Sequence, residues 1–176
     1  LLQLTFWATF LSAAVRTAIP ILCASIGEDI SEKAGIINVG LEAVMLVGAF
    51  FGFATAYLTH SLFWGFVVGM LAGMLLSLLH AFLSVYLKQD QNVAGVALNL
   101  LATGLTSYIF QLMVNRYGIP QIETLKSVPI PLLSKIPLIG DALFNKDVVV
   151  YFAYLLVAFL VFYYKKTMWG MSLCAV

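Results

Sequence analysis

The residues best able to do chemistry in this chain are a few polar side chains set inside apolar runs. Glu42 is the clearest of them. It follows Asn38 by four residues in the run S-I-G-E-D-I-S-E-K-A-G-I-I-N-V-G-L-E-A-V-M-L-V-G, residues 25–48. That spacing puts the carboxamide and the carboxylate on one helical face. A charge at mid-bilayer costs about 2.5–3.5 kcal/mol even on the lenient insertion scale, so an acid there is a functional candidate by default. A structural role stands beside that one: Glu42 could pair with Arg16, or cap a neighbouring broken helix. Gly35 and Gly40 interrupt the run, as happens where backbone breaks beside a cavity.

Asn92, Asn99, Thr103, Thr106 and Gln111 form a second set. All but Gln111 hold roughly one face at 3.6 residues per turn. Thr5, Thr9, Ser12 and Arg16 repeat the pattern near the start, and Ser77, His80 and Ser84 repeat it in the middle. Three polar stripes fit a bundle around a hydrated path. They also fit plain interhelical hydrogen bonding, worth about 0.6–2 kcal/mol each. No constellation for soluble catalysis accompanies them: the sequence has no Walker A loop, no H-E-x-x-H and no G-x-S-x-G. His60 and His80 are isolated. Cys23 and Cys174 lie far apart and read as buried free thiols, with no metal or disulfide framework. The expectation is a non-enzyme with no catalytic residues, no metal and no cofactor of its own. Its energy would come from a partner, an ion gradient or a further part of the chain.

The elements that must position these groups follow from composition. Of 176 residues, 62% are hydrophobic and 10% charged, with mean hydropathy +1.02. Soluble domains average about 45–50% and about 25%. A soluble enzyme, a secreted disulfide scaffold and a disordered chain are thereby excluded. A net charge of +1 without a basic patch excludes nucleic acid as a partner. The reading is an all-α, polytopic transmembrane helix bundle, a single domain over 1–176 embedded in a lipid bilayer. Five stretches approach the roughly 20 apolar residues a span needs: 4–26, 36–58, 62–87, 93–114 and 148–164. One of them is broken or re-entrant near Gly35–Gly40. A charged link at Gly27–Gly35, a tight turn at Thr59–Ser61 and a polar turn at Lys88–Asn92 join the first four.

Segment 115–147 holds four of the five prolines and reads as an ordered loop outside the hydrocarbon. By parity, Lys33, Lys88, Lys165 and Lys166 share one face, and short basic connections favour the cytoplasm. The long loop is then extracytoplasmic. Gly65, Gly69 and Gly73, with Gly48 and Gly52, mark close helix contact. The chain starts at Leu1 and breaks off at Val176 after a polar turn, so it reads as the N-terminal and central part of a longer protein.

The run S-E-K-A-G-I-I-N-V-G-L-E-A-V-M-L-V-G-A-F (31–50) resembles the permease subunits of bacterial ABC importers, in the branch for branched-chain amino acids, simple sugars and nucleosides. It is closest to the nucleoside permeases that work with basic-membrane-type lipoproteins. N-V-A-G-V-A-L-N-L-L-A-T-G-L (92–105), I-P-L-I-G-D-A-L-F (136–144) and K-T-M-W-G-M-S-L-C-A-V (166–176) are similar to further signatures of that branch, in the expected order. Two positions depart from the pattern: Ala43 stands where Gly is usual, and Cys174 where Arg is usual.

The resemblance implies a type II importer subunit in the bacterial inner membrane. It would carry a nucleoside or similar small polar solute. Its partners would be a cytoplasmic ABC ATPase holding ATP and Mg, a second permease subunit and an extracytoplasmic substrate-binding lipoprotein. Asn38, Glu42, Asn92, Asn99 and Thr103 would then shape or line the path. Thr167, Trp169, Gly170 and Met171 would belong to the cytoplasmic coupling segment, 165–176. The alternatives are ribose or another simple sugar, a branched-chain amino acid, or an ion-coupled secondary transporter that uses Glu42.

Overall fold

The computed structural model describes residues 2–118, 128–129, 145–168 and 170. Five helices in it are long and apolar enough, by length and composition, to cross a membrane. They are α1 (Leu2–Lys33), α2 (Leu41–Thr59), α3 (Leu62–Ala81), α4 (Gln91–Tyr117) and α5 (Val148–Lys166). A π-helical turn, Phe82–Tyr86, extends α3. Two short strands, β1 (Val128–Pro129) and β2 (Asn145–Lys146), pair antiparallel with Val128 opposite Lys146.

The expected charged link at Gly27–Gly35 is mostly helix. Asp29 and Lys33 stand four apart with the acid first, the order that supports a helix, and Lys33 lies in the last turn, where a cation complements the helix dipole. The helix stops at Gly35, whose φ of +82° suits a residue without a side chain. Gly35 N–H donates to Glu32 O at 2.9 Å and Ile36 N–H to Ser31 O at 3.0 Å, the paired bonds of a Schellman ending. The connection is therefore Ala34–Gly40, and the second span starts at Leu41 rather than at 36. The interruption near Gly35–Gly40 is the connection between α1 and α2 rather than a break within one span.

The described residues form two compact units, one of Leu1–Asp29 with Thr124–Val176 and the other of Ile30–Glu123. In the second unit, α2 and α3 are antiparallel neighbours joined by His60, which is left-handed at φ 52°, and Ser61. Of the glycines flagged by their spacing, Gly48, Gly52, Gly65 and Gly69 meet each other, while Gly73 faces Val44. A Cβ at Gly69 would lie 2.8 Å from Gly48 O, and one at Gly65 would lie 2.8 Å from Gly52 O and from Ala56 Cβ. Small residues here let backbone touch backbone. Beside that seam, Ala43 and Val47 of α2 pack on Leu98 and Ala102 of α4. Tyr57 and Tyr117, near the C-terminal ends of α2 and α4, are 6.3 Å apart by ring centroid, so both helices run the same way.

In the first unit, Ile19 of α1 packs on Val150 and Ala153 of α5, with Leu22, Cys23 and Tyr154 around them. Cys23 is a half-buried free thiol; Cys174 lies outside the described residues. Most of the expected loop over 115–147, including Ile130 to Ile139, does so too.

Candidate functional site

The most organised polar region lies where α4 meets the break before α2. Gln91, Gly95 and Asn99 recur every four residues and so form one rail on α4. Each engages the break in order. Gln91 Oε1 accepts from Ile37 N–H at 2.8 Å. Gly95 presents bare backbone: a Cβ there would lie 2.7 Å from Gly40 N and 2.9 Å from Val39. Asn99 Oδ1 accepts from Ala43 N–H at 2.8 Å, while Asn99 Nδ2 donates to Val39 O at 3.2 Å.

The need for this arrangement follows from how α2 begins. Its N-cap residue is Gly40, which has no side chain to offer the orphan N–H groups of the first turn. Asn99 supplies from a neighbouring helix the acceptor that a Ser or Asp would supply locally. Its carboxamide carries a donor and an acceptor at one tip, and so satisfies Ala43 N–H and Val39 O together.

The residues expected to line a path fall around this rail. Asn38 is half-buried in the break itself. Glu42 is exposed in the first turn of α2, where a carboxylate favours the positive end of the helix dipole. Asn92 is exposed in the first turn of α4, and its N–H donates to Asp90 Oδ1, the cap of that helix, at 2.8 Å. Thr103 is exposed and its hydroxyl donates to Asn99 O at 2.8 Å; Thr106 is buried and donates to Ala102 O at 2.6 Å. Because both protons are committed to their own helix, each hydroxyl offers a newcomer lone pairs only. His80 is buried with Nε2 3.4 Å from Gln91 O, so it packs α3 against the start of α4.

The first unit holds a second polar cluster that the sequence reading did not identify. Lys146, 1% exposed, donates from Nζ to Ser12 O at 2.8 Å and also reaches the Ser12 hydroxyl. The next residue, Asp147, lies 3.5 Å from Arg16. The polar stripe on α1 thus meets the entry to α5. A Lys-Asp pair just before an apolar run, set against Ser and Arg four apart, was the available signal. For the α4 rail it was Gln91, Gly95 and Asn99 at fixed spacing.

At the far end of α5, Thr167 turns the chain. Its hydroxyl donates to Tyr163 O and accepts from Gly170 N–H at 3.2 Å. One side chain thereby ends α5 and caps the helical residues Met168 and Gly170 that follow. Gly170 is buried so tightly on Tyr163 that a Cβ would collide with its carbonyl. Trp169 and Met171 lie outside the described residues.

Residues 10–176 match the family described as branched-chain amino acid transport system / permease component. A protein of Haloferax volcanii described as a glucose ABC transporter permease, TsgC13, is 39% identical over 98% of this chain and 53% of its own length. The nucleoside ABC transporter permease NupC of Lactococcus lactis is 37% identical over 89% and 52%. The guanosine ABC transporter permease NupQ of Bacillus subtilis is 35% identical over 76% and 44%. The chain spans about half the length of these curated relatives. No solved structure matches it.

Proposed function

The chain belongs to the branched-chain amino acid transport system / permease component family, and from that premise we propose that it is the translocating part of an ATP-driven importer subunit in the inner membrane. The solute would be a nucleoside or a similar small polar molecule. The observation that carries this reading is the family match over residues 10–176, joined to relatives named for glucose, nucleosides and guanosine. Those solutes share a sugar ring bearing several hydroxyls. A path for them needs weak, exchangeable hydrogen bonds, because a site that bound tightly would not release.

On this reading Asn38, Glu42, Asn92, Asn99 and Thr103 shape or line the path. Thr103 would accept from sugar hydroxyls through its lone pairs. Thr167, Trp169, Gly170 and Met171 would form the contact with a cytoplasmic ABC ATPase, which holds ATP and Mg. A second permease subunit would complete the path, and an extracytoplasmic lipoprotein would deliver the solute to the long loop. ATP switches access only if its bound state favours one conformation over the other.

The test is uptake into proteoliposomes holding the complete permease, its ATPase, its companion permease and the lipoprotein. Labelled guanosine, glucose, ribose and leucine are compared with and without internal ATP. ATP-dependent guanosine uptake supports both machine and solute. ATP-dependent uptake of a sugar or leucine alone keeps the machine and replaces the solute. Uptake that ignores ATP and follows a proton gradient overturns the machine.

A further inference from the structure

We propose that Asn99 is the N-cap of α2, supplied in trans from α4, and that it positions the first turn of that helix, including Glu42. Four observations carry this. The residue at the cap position, Gly40, has no side chain. Asn99 Oδ1 lies 2.8 Å from Ala43 N, the third amide of the helix, which is where a local cap would bind. Asn99 Nδ2 lies 3.2 Å from Val39 O, just before the cap, so one carboxamide grips the chain on both sides of the helix start. Gly95, one turn earlier on α4, is in such close contact with Val39 and Gly40 that no larger residue fits without a shift.

Gln91 continues the grip at Ile37, 2.8 Å away. The break and α4 are therefore one body, and the orientation of the α2 start is set by a residue more than fifty positions away in sequence. Glu42 occupies the second position of that turn. The task of holding the break falls to Asn99 and Gln91, and the Glu42 side chain is left exposed.

The experiment reads the helix start directly and needs no transport, so it stands or falls apart from the importer reading. Segment-resolved amide hydrogen exchange is measured on the complete permease in lipid nanodiscs. Asn99→Leu removes both donor and acceptor and should speed exchange of amides 41–44 about tenfold. Asn99→Asp keeps an acceptor for Ala43 and should stay within about threefold of the parent. If the leucine variant fails to accumulate, Asn99→Ala deletes the same two groups without adding apolar bulk. Unchanged exchange on removing both groups would overturn the proposal. So would an aspartate variant that exchanges as fast as the leucine one, since mere side-chain packing would then explain the contact.

Discussion

Nζ of Lys146 lies 2.8 Å from the backbone carbonyl oxygen of Ser12, a residue 134 positions earlier in the chain. The lysine is 1% exposed, so its four-carbon stem is packed as well as its tip bonded. This contact and the neighbouring pair of Arg16 and Asp147 fasten the entry of α5 to α1. The two contacts differ in worth. Arg16 is 63% exposed and its partner is 3.5 Å away, which puts the pair among surface ion pairs of about 0–1 kcal/mol.

Lys146→Ala should therefore destabilise the protein by about 2–4 kcal/mol, through a lost buried stem and the lost hydrogen bonds of its charged tip. Arg16→Gln should cost less than about 1 kcal/mol. Thermal or denaturant unfolding of the purified protein in detergent checks the ranking. Equal effects would mean that burial does not govern this cluster.

Two glycines on different helices give a second contrast. Gly69→Ala places a methyl 2.8 Å from the Gly48 carbonyl, which is backbone and cannot swing aside. The helices must separate, at a cost of about 1–3 kcal/mol. Gly104 on α4 meets nothing within 4 Å. Gly104→Ala should be neutral or stabilise by about 0.4–1 kcal/mol through helix propensity. The same unfolding measurement separates them.

Thr167→Val keeps the shape of the side chain and removes the hydroxyl that serves both Tyr163 and Gly170. Loss of the cap should cost about 1 kcal/mol and uncouple the turn after α5. In proteoliposomes with the ATPase, ATP-driven uptake should fall several-fold, while Thr167→Ser stays near the parent value. A valine variant that transports as well as the serine variant would remove this turn from the coupling contact.

Glu42→Gln keeps size and hydrogen-bonding capacity but removes the charge. Assembly with partner subunits should survive, and ATP-dependent uptake should fall, because an acid at the start of an apolar span is a functional candidate by default. Co-purification and uptake assays on the same preparation distinguish the two effects. Unimpaired uptake would end the role given to the carboxylate.

Much of the helical plan was legible because long apolar runs admit few alternatives in lipid, where backbone groups must be satisfied within the segment. The glycine spacing on α2 and α3 also read through correctly, as contact. Boundaries near charge were harder. Residues 27–33 look like a link because they carry acids and a lysine, yet Asp29 and Lys33 at helical spacing keep α1 going to the Schellman ending at Gly35. The site was legible in residue type but not in role. Asn99 stood out as a polar residue on an apolar helix, while its partners, Ala43 N–H and Val39 O, are backbone groups that no side-chain pattern announces. Lys146 was hidden for a related reason: its acceptor on Ser12 includes a main-chain carbonyl far away in sequence.

The glycine seam between α2 and α3 bears on how the hairpin they form holds its register. The two helices are joined by only His60 and Ser61, so closing that loop has little entropic cost. Their closest contacts are backbone on backbone, with no glycine rotamer to freeze on docking. Opposed glycines also act as a ratchet with one permitted tooth, since a slip along the seam would drive a Cβ into a carbonyl. The α2–α3 hairpin is thus complete in its own contacts except at the α2 start, whose capping groups come from α4.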